Sequence, residues 1–150
     1  MGKGSYMRTN LKRIALVSLA SLLLATVAFA QPAPFPGVLK NARYVYVTSY
    51  DGSQFNPNIL PEDRAAISEV QDSLRSWGHY IVVQEPRFAD MTLVVQRRGS
   101  EDVFAVYDTK VNDGSMYLWR VMGRGGLDKN EMPLFTEFRQ SVEKMESAKK

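Results

Sequence analysis

The chain has 150 residues, of which 19 are Lys or Arg and 16 are Asp or Glu, with a formal net charge of +3, 45% hydrophobic residues and no cysteine. That apolar content argues against a disordered chain. The missing Cys excludes disulfides, thiolate chemistry, iron–sulfur clusters and most structural zinc sites.

The basic excess sits at the front. Lys3, Arg8, Lys12 and Arg13 precede an uncharged run from Ile14 to Val27 that closes on Ala28-Phe29-Ala30. A positive segment, a short apolar core and small residues at Ala28 and Ala30 are what signal peptidase and the translocon require, so a secretory leader cleaved between Ala30 and Gln31 is predicted. An uncleaved anchor would need about 20 apolar residues to cross the bilayer core, and this run is shorter. Lys12-Arg13 is not a twin-arginine signal, so the general secretory route is expected, and no Cys follows the cleavage site for lipid attachment. The leader's cations are four of the 19 basic residues, which leaves 15 against 16 acidic in the exported part. The basic balance therefore does not indicate a nucleic-acid partner, and the membrane is met only through the leader. No Asn-x-Ser/Thr sequon is present, which favours a bacterial periplasmic or extracellular protein over a glycosylated one.

Cleavage after residue 30 leaves 120 residues, enough for one domain that folds on its own core. Residues 31–41 contain Pro32, Pro34 and Pro36 and read as an extended spacer. Ala42 to Ser49 alternates Val45 and Val47 with Tyr44, Tyr46 and Thr48, a strand with two unlike faces. Tyr50 to Asn58 is a loop. From Pro61 to Trp77 the apolar residues Ala66, Ile67, Val70, Leu74 and Trp77 recur at helical spacing. Pro61, Glu62 and Asp63 fit its first turn and Gly78 its C-terminal cap.

Four further strands are predicted over His79 to Glu85, Ala89 to Arg97, Asp102 to Asp108 and Met116 to Met122. Pro86-Arg87-Phe88 divides the first two, and Asn112-Asp113-Gly114 suits a hairpin between the last two. Met91 to Val95 is apolar at nearly every position, as a central strand requires. A second helix from about Pro133 to Met145 carries Leu134, Phe135, Phe138, Val142 and Met145 on one stripe, and a polar tail, 146–150, follows. The order strand, helix, four strands, helix gives an α+β two-layer sandwich: a mixed sheet of about five strands with both helices on one face, in a single domain over 42–145. The order of the strands within the sheet stays open.

No catalytic, cofactor or metal motif emerges. His79 is the only histidine, has no Cys or Gly-x-Ser-x-Gly nucleophile beside it, and reads as a surface residue at a strand entry. Asp108 to Gly114 does not reproduce the alternating acidic loop of an EF-hand. Gly123-Arg124-Gly125-Gly126 lacks the Gly-Lys-Ser/Thr ending of a phosphate loop and reads as the exit from a strand. Arg97, Arg98, Arg120 and Arg124 fall near the ends of neighbouring strands and form a candidate site for a carboxylate or phosphate. Against that reading, Glu101, Asp102 and Asp128 lie close enough to pair with them.

The stronger clue is the second face of the sheet. Alternation sets Tyr44, Tyr46, Thr92 and Val94 opposite the helix-facing Val45, Val47, Leu93 and Val95, with Tyr117 and Trp119 joining one face or the other. With two helices available, such an aromatic face is either open to a protein, a glycan or a second copy of the chain, or covered by a loop.

Leu74-x-x-Trp77-Gly78 at a helix end, then Pro86-Arg87-Phe88-Ala89-Asp90-Met91-Thr92-Leu93-Val94-Val95, then Val106-Tyr107-Asp108 and Tyr117-Leu118-Trp119-Arg120 carry a resemblance. The arrangement resembles small α/β domains of unknown function in exported bacterial proteins and envelope lipoproteins. The chain departs from the lipoprotein members in lacking the lipidated Cys. The resemblance implies a fold and a compartment, and no activity. The aromatic face and the lack of catalytic groups make the expected function a binding or accessory domain of the cell envelope that is not an enzyme and uses no cofactor, with an envelope protein or glycan as partner. The competing expectation is a small hydrolase or anion-binding enzyme built on Asp90, Asp108, Arg98 and Arg120.

Overall fold

The computed structural model describes residues 33–111 and 116–148. The leader and its cleavage residues Ala28, Ala30 and Gln31 lie outside these residues, as does the Asn112-Asp113-Gly114 turn. The elements are β1 (Tyr44–Thr48), α1 (Pro61–Trp77), β2 (Ile81–Val83), β3 (Met91–Gln96), β4 (Asp102–Asp108), β5 (Trp119–Gly123) and α2 (Pro133–Ser147), with 3₁₀ turns at Gly37–Leu39 and Pro86–Phe88.

The five strands form one mixed sheet in the order β2-β1-β3-β4-β5. β1 runs parallel to both β2 and β3, and β3, β4 and β5 are antiparallel neighbours. The largely apolar Met91 to Val95 run is the middle strand, and the strand order that sequence left open places β1 between β2 and β3. Both helices pack on one face, α1 against β1, β2 and β3 and α2 against β4 and β5. The α+β two-layer sandwich and its element order are as expected. Among the described residues no helix is long and apolar enough to cross a membrane.

α1 starts and stops where its chemistry dictates. Pro61 takes the first position, whose N–H has no partner in any helix; Glu62 and Asp63 sit at the positive end of the dipole. Gly78 closes it in the left-handed conformation at φ 71°, its N–H donating to the Leu74 carbonyl at 3.0 Å. Four of the strands are shorter than expected, β1 among them, which covers Tyr44–Thr48 of the expected Ala42 to Ser49. Only Ile81–Val83 pair with β1, because Tyr80 turns inward against Trp77 and Phe138 and the chain leaves for the 3₁₀ turn after Glu85. β3 covers Met91–Gln96, since Arg97 already belongs to the turn. β5 starts at Trp119, and Met116, Tyr117 and Leu118 stay exposed.

The core lies between the helices and the inner sheet face. Phe104, Trp119 and Phe138 are buried there, with the Phe138 ring 5.1 Å from Phe104 and 6.1 Å from Trp119. The Pro-rich segment contributes to it. Phe35 and Leu39 are both buried, and the Phe35 ring lies 6.1 Å from Trp119 and 5.6 Å from Phe138. The Trp119 indole N–H donates to the Ala33 carbonyl at 2.9 Å. Residues 33–39 thus form a strap that closes the core, whereas composition alone suggests a spacer. The prolines set an extended backbone, and the apolar residues between them decide where it lies.

Candidate functional site

Three places gather chemistry-bearing side chains: the end of the sheet where β1 and β3 finish, the opposite end, and the outer face between them. At the first, the β1–α1 loop, the β3–β4 turn, the N-terminus of α1 and the chain leaving β5 come together. Arg98 reaches the fully buried Asp63 with Nη1 at 2.9 Å from both carboxylate oxygens, and its Nη2 lies 2.7 Å from Asp51. The Arg97 amide donates to Asp63 at 2.8 Å, and its guanidinium bonds the Leu127 carbonyl and sits 3.2 Å from Asp128 and 3.9 Å from Glu69. Buried Asp102 accepts from the Arg98 and Leu127 amides at 3.0 and 2.9 Å. Asp63 and Asp51 hold the Arg98 guanidinium in its charged form, above its ordinary pKa.

A groove of about 560 Å³ opens here, with Arg97, Arg98 and exposed Arg124 among its walls and Glu62, Asp102 and Asp128 between them. Arg97, Arg98 and Arg124 are thus brought to one end, but the first two are already occupied by carboxylates from other segments. What the arrangement does is fasten three loops to the helix N-terminus. Arg120 is not part of it.

At the opposite end, Asp90 receives the backbone amides of Arg43 and Tyr44 at 2.9 and 3.1 Å, and Lys110 lies 3.2 Å away. These donors, the Arg43 amide first, hold its carboxyl below the ordinary value. Asp90 satisfies the amide just ahead of β1 and that of its first residue, and its own amide donates to the Tyr44 carbonyl at 2.8 Å, so it sets the register in which β3 joins β1. Asp108 is nearby, opposite Met91. Arg98 lies beyond the far end of β3, about 17 Å of strand away. Asp90, Asp108, Arg98 and Arg120 are therefore not brought together. His79 stacks on Trp77 at 4.6 Å and lies 3.2 Å from Glu146, away from all of these. Among the described residues, no three His, Asp or Glu side chains are placed to hold a metal ion.

The outer face carries Tyr44, Tyr46 and Thr48 from β1, Ile81 and Val83 from β2, and Thr92, Val94 and Gln96 from β3. Val103, Ala105 and Tyr107 from β4 and Arg120 and Met122 from β5 complete it. Val94, Val103 and Ala105 form a small apolar cluster with Tyr107 packed on it, separate from the core to which the helices contribute. Around it Tyr44, Tyr50, Tyr117 and Met122 are each 42 to 48% exposed. The Tyr50 and Tyr107 hydroxyls meet at 3.3 Å, and the Thr92 and Thr109 hydroxyls at 2.8 Å. Burial, reinforced by the bond to Tyr50, pushes the Tyr107 hydroxyl up to about 12, with Arg120 pulling against it.

Arg120 is paired with Ala105 across the β4–β5 ladder and lies over the Tyr117 ring, 5.4 Å from its centre. Its Nε is buried and has no hydrogen-bond partner among the described residues. Tyr117 therefore belongs to the outer face, and Trp119 turns to the core. Sequence reading finds Tyr44, Tyr46, Thr92 and Val94 but misses Tyr107, Met122 and Tyr50. The first two follow from period two once Phe104 and Trp119 are assigned to the core. Tyr50 follows from no periodicity, since it lies in a loop.

No protein-family model matches the chain, and no curated protein does. Among solved structures, the chain is similar to a PelC dodecamer, a point variant, from Paraburkholderia phytofirmans at 16% identity, over 67% of this chain and 86% of that one, with a TM-score of 0.37. A likeness at that level carries no argument about assembly or activity.

Proposed function

We propose that the chain is an exported bacterial envelope protein, periplasmic or extracellular, that works by binding a partner through the outer face of its sheet and not by catalysis. The observation that carries this reading is the composition of that face: half-exposed tyrosines and a methionine around an apolar centre, on the side away from both helices. Aromatic and Met side chains give large contact area at small entropic cost, which is why they concentrate where proteins bind. The lack of convergence among Asp90, Asp108, Arg98 and Arg120 favours binding over the hydrolase alternative, since an active site needs its groups within reach of one substrate.

Site-specific photo-crosslinking in cells that export the protein tests it. A benzophenone side chain at Tyr44 or Tyr117 is expected to trap a discrete adduct, and one at Arg139, exposed on α2, is not. Adducts equal from both faces, or from neither, would contradict the proposal. N-terminal sequencing of the exported form tests the address: it should begin at Gln31.

A further inference from the structure

We infer that the partner of the outer face is a protein surface that presents an Asp or Glu side chain to Arg120. This rests on the binding reading above and names the chemistry of the occupant. Arg120 is the only charged residue that the five strands direct to that face. Its guanidinium lies over the Tyr117 ring, and its Nε is buried without an acceptor among the described residues. Nε itself is closed to an outside group, but the side chain as a whole is half-buried, so a carboxylate from a partner can reach the open part of this guanidinium and form a charge-assisted bond with it.

Composition selects a protein over other anions. Tyr, Met and Arg present with Lys, Asp and Glu missing from the strand positions is the pattern of a protein–protein contact centre, where Tyr and Arg provide most of the binding free energy. A glycan, rich in hydroxyls, calls for a comparable density of polar side chains. The strands offer it Gln96 and the five hydroxyl groups of Tyr44, Tyr46, Thr48, Thr92 and Tyr107, of which the Thr92 hydroxyl is engaged by Thr109, the Tyr107 hydroxyl by Tyr50 and the Thr48 hydroxyl by the Ser49 carbonyl. A second copy meeting this one face to face would bring only another Arg120 as its strand charge. Like charges across a desolvated contact oppose association.

The test places p-benzoyl-phenylalanine at Met122, beside Arg120 on the same face, in the full chain in the cells that export it. The adduct is compared in the parent, Arg120→Lys and Arg120→Gln backgrounds, with thermal melts to confirm folding. Arg120→Met, similar in volume and uncharged, replaces Arg120→Gln if the latter does not accumulate. The expected result is a protease-sensitive adduct whose yield falls about tenfold or more in Arg120→Gln and less in Arg120→Lys, with an Asp or Glu in the partner peptide next to the attachment point. An adduct of unchanged yield in the uncharged variant would overturn the carboxylate assignment and leave face binding intact. A protease-resistant adduct would overturn the choice of a protein, and a self-adduct would identify a second copy instead. No adduct from any position on the face would remove both this inference and the binding reading.

Discussion

Replacing Phe35 by Ala removes a ring that is 5% exposed and wedged between Trp119 and Phe138 at 6.1 and 5.6 Å. Burial of an aromatic side chain removes roughly 200 Å² from water, worth about 5 kcal/mol at about 25 cal/mol per Å². Phe→Ala substitutions in cores cost about 3 to 5 kcal/mol. The two figures agree, and the lower end applies here because a strap can undock locally. For a domain of this size that is a large share of a total of about 5 to 15 kcal/mol. With a urea slope of about 1.5 kcal/mol per M, the midpoint of Phe35→Ala should fall by about 2 to 3 M. The assay is urea unfolding followed by tryptophan emission, which also reports whether Trp119, 2% exposed in the parent, has become wet. Val38→Ala is the control, since Val38 lies in the same segment at 69% exposure and should not move the midpoint. A Phe35→Ala midpoint within about 0.5 M of the parent, at unchanged slope, would refute the strap and return residues 33–39 to the role of a linker.

Asp63→Ala should cost about 2 to 4 kcal/mol in the same assay, because the fully buried carboxylate holds Arg98 and the Arg97 amide. The cost stays below that of a fully buried pair because the Arg98 side chain is 30% exposed and keeps Asp51. Acid unfolding should involve Asp90. Its folded pKa is below the unfolded value of 3.8, so its contribution is complete above about pH 4 and is lost as pH falls through the lower folded value. Asp90→Asn should flatten the stability profile in that window. At the alkaline end the sign reverses: a Tyr107 hydroxyl raised from 10.0 to about 12 stabilises the fold fully below pH 10 and progressively less between 10 and 12. Ultraviolet titration of Tyr107→Phe should therefore lack a late-ionising tyrosine that the parent shows.

α1 and β4 are readable to the residue because local chemistry sets their limits: Pro61 and Gly78 for the helix, and Asp102 to Asp108 for a strand flanked by turns. The two-faced character of β1 and β3 is equally plain, since period two separates Tyr44 and Tyr46 from Val45 and Val47 whatever the topology. The strap is hidden because prolines report backbone shape and say nothing about where Phe35 inserts. The fate of the arginines is half legible. Asp102 and Asp128 are visible as close partners in sequence, whereas Asp63 meets Arg98 only because the parallel pairing of β1 with β3 brings the start of α1 to the end of β3. Such a contact is a product of topology, and topology is the part that pattern leaves open.

Hydroxyl-radical footprinting reads the outer face directly, in the cell envelope and on the purified protein. If that face is occupied by a partner, Met122 and Tyr117, 42 and 46% exposed in the free chain, should be oxidised much more slowly in the envelope, while Phe55, 68% exposed in the β1–α1 loop, reacts at the same rate in both. Equal rates for Met122 and Tyr117 in the two settings would contradict binding through this face.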